Sequence, residues 1–393
     1  MVRISAFKAF IPIVLMSILL TACWDKTELN ELALVSMVGV DSDRESGLKT
    51  IYYQIINPLS SVFSKGAPGG NEAPIYTYEI AGRSYGEMKS TIHKLLSRKL
   101  FVAHYRALIV SERAARQGIR DFVNYIEMQP NGRSSIPLLV ADGPISRIMK
   151  TFTPLESVPS EAVDSKLKHL TSDSLLGGEH VKVRDFIERM QKSEAIVLPM
   201  IKETEKKTNS NSNQASTHID ANQNNLIIEG GAVFRDYRMV GKLNDTELIW
   251  YHLLSGDTGR HTKLFEVDGK RITMQMQLAN MDWSAHWRNH KPVVTIHIDL
   301  ELSTIYAIEY VPQSRNEVKQ LENEVAQIIQ DDLYAFYQKI KANGWELLKT
   351  KETVERYLTK KNQAEKVIAM KDVEVMINVK ARLSQIGSIR KTY

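Results

Sequence analysis

A single cysteine in 393 residues leaves this chain no internal disulfide and no Cys-rich metal cluster. Whatever it folds into must therefore be held by buried apolar side chains. The material for that is present, since 43% of residues are apolar and 25% charged, enough for two or three domains of ordinary size. A mean hydropathy of −0.26 is too polar for a bundle of spanning helices, and the same balance excludes a disordered or collagen-like chain.

The lone thiol is Cys23, and its position is informative. Arg3 and Lys8 precede an apolar run from Phe10 to Leu20, and no acid precedes Asp25. These eleven residues, with Ser17 their only hydroxyl, rise only ~16 Å as a helix, about half a hydrocarbon core, which fits the apolar region of an export signal better than a spanning helix. Leu20, Thr21, Ala22 and Cys23 follow and resemble the bacterial lipobox, in which the thiol accepts a diacylglyceryl group. The expectation is that residues 1–22 form a lipoprotein signal peptide and that acylated Cys23 anchors the chain in membrane lipid on the extracytoplasmic face. One acyl chain binds marginally, whereas two give a stable anchor. The competing reading is a free thiol behind an ordinary signal peptide, which would leave an exported protein with an exposed reactive group. Without Arg3 and Lys8, the 51 basic residues fall to 49 against 46 acidic ones, a balance that gives no reason to expect nucleic acid as a partner.

The stretch from Glu203 to Asn225 is dominated by Asn, Ser, Thr and Gln and cannot bury enough surface to offset the entropy of ordering it. It reads as a polar linker or loop between an N-terminal region, 24–202, and a C-terminal region, 226–393. In the first, Leu34–Val40, Ile51–Ile56, Ile75–Ile80, Ala107–Val110 and Ile136–Val140 have strand-like length and composition. Ser84 and Glu87 have capping-box spacing ahead of a helical face of Met88, Ile92, Leu95 and Leu96, and a second helix is predicted over Glu112–Met128. The stretch from Ser64 to Pro74 is expected to be an excursion between strands.

Beyond the polar stretch, Leu226–Phe234 and Met239–Leu243 read as a hairpin, with Asn244 or Asp245 capping the helix that follows. Strands are predicted at Thr262–Val267, Arg271–Leu278 and Val293–Ile308. Ser314 and Glu317 begin a long helix whose stripe of Val318, Leu321, Val325, Ile328, Ile329, Phe336 and Ile340 ends at Asn343-Gly344. Val373, Val375, Ile377 and Val379 alternate with polar residues as a last strand. The expected fold class is α/β and α+β: a multi-domain chain of mixed sheets covered by helices, its C-terminal domain mainly antiparallel sheet with a long helix.

Chemistry-bearing patterns are few. His286, His290, His297 and Asp299 could suggest a metal, but Arg288 intervenes, no HExxH glutamate is present, and Pro292 followed by β-branched residues turns the segment into a strand. Asp41, Asp43 and Glu45 resemble a calcium loop only loosely, with Ser46 where that loop needs glycine, and read better as a solvated turn. No phosphate loop, dinucleotide fingerprint or nucleophile elbow is present. The expectation is a binding protein, with no catalytic residue and no cofactor.

Cys23-Trp24-Asp25 with Glu28-Leu29, then LALVSMVGVD from Leu32 to Asp41, resemble the start of the Ger(x)C family, the C subunits of nutrient germinant receptors in spore-forming bacteria. GGAVFRDYRMVGKL from Gly230 to Leu243 is similar to the hairpin opening the family's C-terminal domain, and VEVMINVKARLSQIGSIRK from Val373 to Lys391 to its closing strand and basic tail. Between Tyr337 and Lys371 the chain departs from the family pattern. The resemblance implies three α/β-type domains, the N-terminal half dividing near Asp142-Gly143-Pro144 or Thr153-Pro154. It also implies a non-catalytic, lipid-anchored subunit on the outer surface of the spore inner membrane, acting with membrane-embedded A and B subunits. Trp24, Asp25, Glu28 and Leu29 would then form a membrane-proximal or partner surface, and the neighbourhood of Trp283 and Trp287 is a second candidate, although either Trp fits a core as well. A solute-binding protein of a transporter and an anchored cell-wall hydrolase remain the alternatives.

Overall fold

The computed structural model describes residues 31–57, 73–103, 105–129, 134–151, 153, 155–172, 181–204, 225–289, 291–306, 312, 314–360 and 373–385. The excursion expected at Ser64–Pro74, most of the polar stretch and the basic tail lie largely or wholly outside them.

The first half supplies strands β1 (Leu32–Asp43), β2 (Leu48–Ile56), β3 (Ile75–Gly82), β4 (Lys99–Phe101), β5 (Ala107–Ser111), β6 (Leu138–Ala141) and β7 (Ile196–Glu203). Its helices are α1 (Tyr85–Leu95), α2 (Glu112–Gln117), α3 (Arg120–Glu127), α4 (Ile145–Ile148), α5 (Pro159–Ser172) and α6 (Val183–Gln191). Strands β8 (Leu226–Arg235) and β9 (Arg238–Leu243) follow, then α7 (Asp245–Leu254), β10 (Arg260–Val267), β11 (Lys270–Arg288), β12 (Lys291–Tyr306), α8 (Arg315–Ala342), α9 (Thr350–Lys360) and β13 (Glu374–Gln385).

The first sheet runs β3-β2-β1-β5-β6-β7-β8-β9, with β4 beside the start of β1. It is mixed: β1, β5, β6 and β7 are parallel in the middle, and antiparallel pairs close both ends. The central strands β5 and β6 are buried throughout, as strands covered on both faces must be. Alternate residues feed two cores. Val38, Val40, Leu108, Val110, Leu138 and Val140 pack on the side of α1, α3 and α6. Met37, Ala107, Ile109, Leu139 and Ala141 pack against Ile145, Ile148, Val163 and Leu167 of α4 and α5.

The second sheet, β10-β11-β12-β13, is antiparallel except that β13 lies parallel to β12. Its inner face carries Met274, Met276, Ile296, Ile298, Val375 and Ile377 against Leu321, Val325, Ile329, Leu333, Phe336 and Ile340 of α8. The mixed α/β architecture and the long helix over a mainly antiparallel sheet are as the sequence predicts. So are the caps: Ser84 Oγ accepts from Glu87 N at 3.2 Å, Ser314 Oγ from Glu317 N at 3.2 Å, and Asn244 with Glu247 forms a reciprocal box. In the β8–β9 turn, Asp236 and Tyr237 both have positive φ, 49° and 63°, which matches the twist of a tight hairpin.

Two elements differ from expectation. The helix predicted over Glu112–Met128 is two helices, because Gly118 at φ 109° takes a conformation that a side chain rarely tolerates, and Ile119 N turns to donate to Tyr237 O at 2.9 Å. The strand predicted to end at Leu278 continues to Arg288 past a register shift, Met281, Trp283, Ala285 and Trp287 packing inward. The polar stretch connects adjacent strands: Glu203 pairs with Leu226, and Thr204 N donates to Asn225 O at 2.8 Å. Strands β8 and β9 thus complete the first sheet, and the second begins at β10. That first sheet also runs unbroken past Asp142-Gly143-Pro144, since β6 and β7 are neighbours.

The two sheets share a core. Val197, Val233 and Leu243 of the first meet α7 and, through it, the second. At the edge strand β9 a Cβ on Gly241 would come within 1.8 Å of the Trp345 ring, so only glycine lets that indole lie on the strand. Gly241→Ala is expected to lower stability by about 2–3 kcal/mol in urea unfolding, the cost of overpacking a close contact. The same substitution placed on Trp345→Leu should cost under ~1 kcal/mol. An equal cost in both backgrounds would show that the ring does not set the constraint.

Candidate functional site

Leu20, Thr21, Ala22, Cys23, Trp24, Asp25, Glu28 and Leu29 all lie outside the described residues. Glu31 and Leu32 are where the chain from Cys23 enters the fold. Strand β1 then runs between β2 on one side and β4 and β5 on the other, so its lateral hydrogen bonds are satisfied within the sheet.

At the far end of β1, the acidic turn is held by a guanidinium. Arg113 Nη2 lies 2.6 Å from Asp41 Oδ2, and its Nη1 is 3.6 Å from Asp43 Oδ2. Ser111 also donates to Asp41. Asp43 accepts from Glu45 N at 3.0 Å, and that backbone bond, with help from Ser46 and Arg113, holds its carboxyl below the usual range. The cluster is a turn neutralised by arginine.

The histidine constellation does not assemble. His297 sits opposite Asp282 and His286 opposite Val293, so the register separates the two imidazoles by about 14 Å along the strands. His290 lies outside the described residues. Trp283 and Trp287 are half-buried against the core of the second sheet, and Trp283 Nε1 is buried without a partner among the described residues. Among the described residues no group of three or more His, Cys, Asp or Glu could hold a metal ion.

What the geometry does bring together is a charged joint at the sheet boundary. Lys242 Nζ of β9 lies 2.7 Å from Glu112 Oε2 of α2 and 2.9 Å from Asp142 Oδ1 after β6. Burial opposes that charge, but the two carboxylates outweigh it and hold the ammonium above its ordinary pKa. Lys339 of α8 donates to both Glu247 oxygens, at 2.6 and 2.7 Å, and to Lys242 O at 3.5 Å. Arg235 Nη1 donates to Gly344 O at 3.2 Å. Lys242 braces β9 within the first sheet, while Lys339 and Arg235 tie β9 and β8 to α8 and the turn after it, an arrangement suited to fixing one sheet on the other. Sequence reasoning missed it because Glu112, Asp142, Lys242 and Lys339 have no local pattern; only the fold brings them near one another.

Under the loop from α7 to β10 sit two more groups the sequence did not single out. His261 is fully buried, and among the described residues neither its ring nitrogens nor the buried Asp257 Oδ2 has a hydrogen-bond partner. Asp257 Oδ1 accepts from Gly259 N at 2.9 Å. Burial holds both His252 and His261 below the ordinary imidazole pKa, His252 at about 4, with the Asp257 charge opposing.

The comparisons with known proteins agree with this architecture. Residues 25–203 match the family described as the spore germination protein N-terminal domain, and residues 229–387 that described as spore germination B3/GerAC-like, C-terminal. The chain belongs to this Ger(x)C family of spore germination proteins. Among particular relatives, spore germination protein KC of Bacillus subtilis (strain 168) is 31% identical over 153 residues, 38% of this chain and 37% of that protein. The putative spore germination protein YfkR of the same organism is 23% identical over 294 residues, 74% of this chain and 72% of that one. GerQC of Bacillus cereus is 21% identical over 326 residues, covering 80% and 81%. The crystal structure of the GerBC protein shares the fold, with a TM-score of 0.52 over 88% of this chain and 96% of that one at 13% identity.

Half-buried His252 and buried His261 give this boundary a pH dependence. His252 stays neutral in the fold but takes a proton near pH 6.5 when unfolded, so its contribution is complete above 6.5 and is lost as pH falls toward 4. Between pH 7.5 and 4.5 the loss attributable to His252 should be about 2–3 kcal/mol. In urea titrations His252→Gln should remove that part of the pH dependence; an unchanged dependence would mean the imidazole is not held neutral.

Proposed function

We propose that the chain is a lipid-anchored, non-catalytic C subunit of a nutrient germinant receptor. It is held through acylated Cys23 on the outer surface of the spore inner membrane and acts in germination with membrane-embedded A and B subunits. The observation that carries this reading is the place of the lone thiol: the family match begins at residue 25, two positions after Cys23. Membership in a family of spore germination proteins supports the role, and so do the names of the relatives.

The geometry makes the anchor useful. Leu32, first residue of β1, is nine positions beyond Cys23, so an extended tether would let the first sheet stand no more than about 32 Å from the lipid. Two acyl chains hold such a protein stably, and confinement raises the effective concentration of membrane partners, so modest interfaces suffice. Trp24, Asp25, Glu28 and Leu29 fall within this tether and are the residues proposed to meet membrane or partner. No helix among the described residues is long and apolar enough to cross a bilayer. A transporter's solute-binding protein would need two similar lobes facing a cleft, and the second half's mainly antiparallel sheet does not resemble the largely parallel centre of the first.

Cys23→Ala should leave the urea midpoint unchanged and abolish the nutrient response of spores. A normal response from unlipidated protein at native abundance would overturn the anchored-subunit reading.

A further inference from the structure

Helices α1 and α3 lie side by side: the Tyr85 and Tyr125 rings stack at 4.9 Å between centroids and 23° between planes, and Lys89 Nζ donates to Gln129 Oε1 at 2.9 Å. Between the C-terminal ends of this pair and β4 lies a cavity of about 200 Å³. Tyr53 and Tyr105, both buried, and half-buried Tyr125 form its aromatic wall, with Val38, Leu100 and Ile126 beside them. Lys89, His93 and Lys99 also line it, and no carboxylate does among the described residues.

Three features of this lining select a ligand. Its volume is below the ~300–1,000 Å³ of sites for drug-sized molecules, so the occupant is about the size of an amino acid. The rings offer a flat apolar surface whose hydroxyls stay donors, since burial pushes the Tyr105 phenol up to about 12. The charged groups are of one sign, so a carboxylate would gain charge-assisted hydrogen bonds, whereas a cation would meet like charge. Stacked Tyr85 and the hydrogen bond between Tyr53 and Tyr125 hold the wall in place without a ligand.

We propose that this cavity binds a small amphipathic anion, a single carboxylate on an apolar or aromatic body, with Lys89 and Lys99 receiving the carboxylate and the three tyrosines the body. The inference does not depend on the germination reading. It gives the first sheet a ligand site whose Lys99 and Leu100 pair directly with Leu32 and Ala33, where the chain from Cys23 enters β1.

The test is titration of the full-length protein in detergent with phenylacetate, phenylacetamide and glycerol 3-phosphate, followed by calorimetry and ligand-observed NMR. Phenylacetate should bind with a Kd below about 5 mM, and the neutral amide and the purely polar phosphate at least about tenfold more weakly. Lys89→Met combined with Lys99→Met should weaken phenylacetate about tenfold or more, and Val102→Trp, which fills the cavity, should abolish binding. The urea midpoint of each variant confirms that it folds. Absence of phenylacetate binding, equal affinity for the amide, stronger binding of the phosphate, or affinity unchanged in the folded variants would each overturn the proposal.

Discussion

The two sheets depend on one edge strand. Strand β9 closes the first sheet, and Gly241 leaves room on it for the Trp345 indole that follows α8. Beside it, Lys242 draws in α2 and the turn after β6, while its carbonyl receives Lys339 of α8. The apolar side of the same boundary is α7, whose Leu248, Trp250 and Leu253 belong to a core shared by both sheets. Burial supplies the bulk of the cohesion and directs no geometry; the glycine contact and the charge pairs determine which surfaces meet.

Much of this was legible in the chain because its local signals agree with the global fold. The spacing of Ser84 with Glu87, Asn244 with Glu247 and Ser314 with Glu317 located three helix starts, and the stripe on α8 identified its buried face. Where prediction failed, a distant contact had overruled a local pattern. The apolar periodicity of Ile119, Phe122, Val123 and Ile126 concealed the break at Gly118, which is set by the hairpin turn that receives Ile119. The polar stretch, expected as a linker or loop, joins the adjacent strands β7 and β8, whose pairing holds its two ends. The charged joint gave no signal, since its members are tens to hundreds of residues apart, and the cavity gave none because Tyr53, the 89–105 stretch and the 125–129 stretch meet only in the fold.

The sites fall into two kinds. The joint at β9 satisfies its own charges and so serves the relation between sheets. The cavity near the start of β1 has cations and aromatic rings but no acid among its described lining residues, so a ligand can complete it. Both lie on a sheet whose central strand continues the segment proposed to carry the lipid, so the proposed membrane attachment, the proposed ligand site and the sheet junction would share one sheet. A family that acts in spore germination could use such a link to relate events at the bilayer to a folded surface outside it.

Whether that link exists depends on the chemistry at one sulfur. Intact-mass and peptide mass spectrometry of the protein purified from spore membranes tests it directly. The account predicts a chain beginning at Cys23 and carrying a diacylglyceryl group on its thiol. A chain retaining residues 1–22, or a mature N-terminal cysteine with an unmodified thiol, would contradict it.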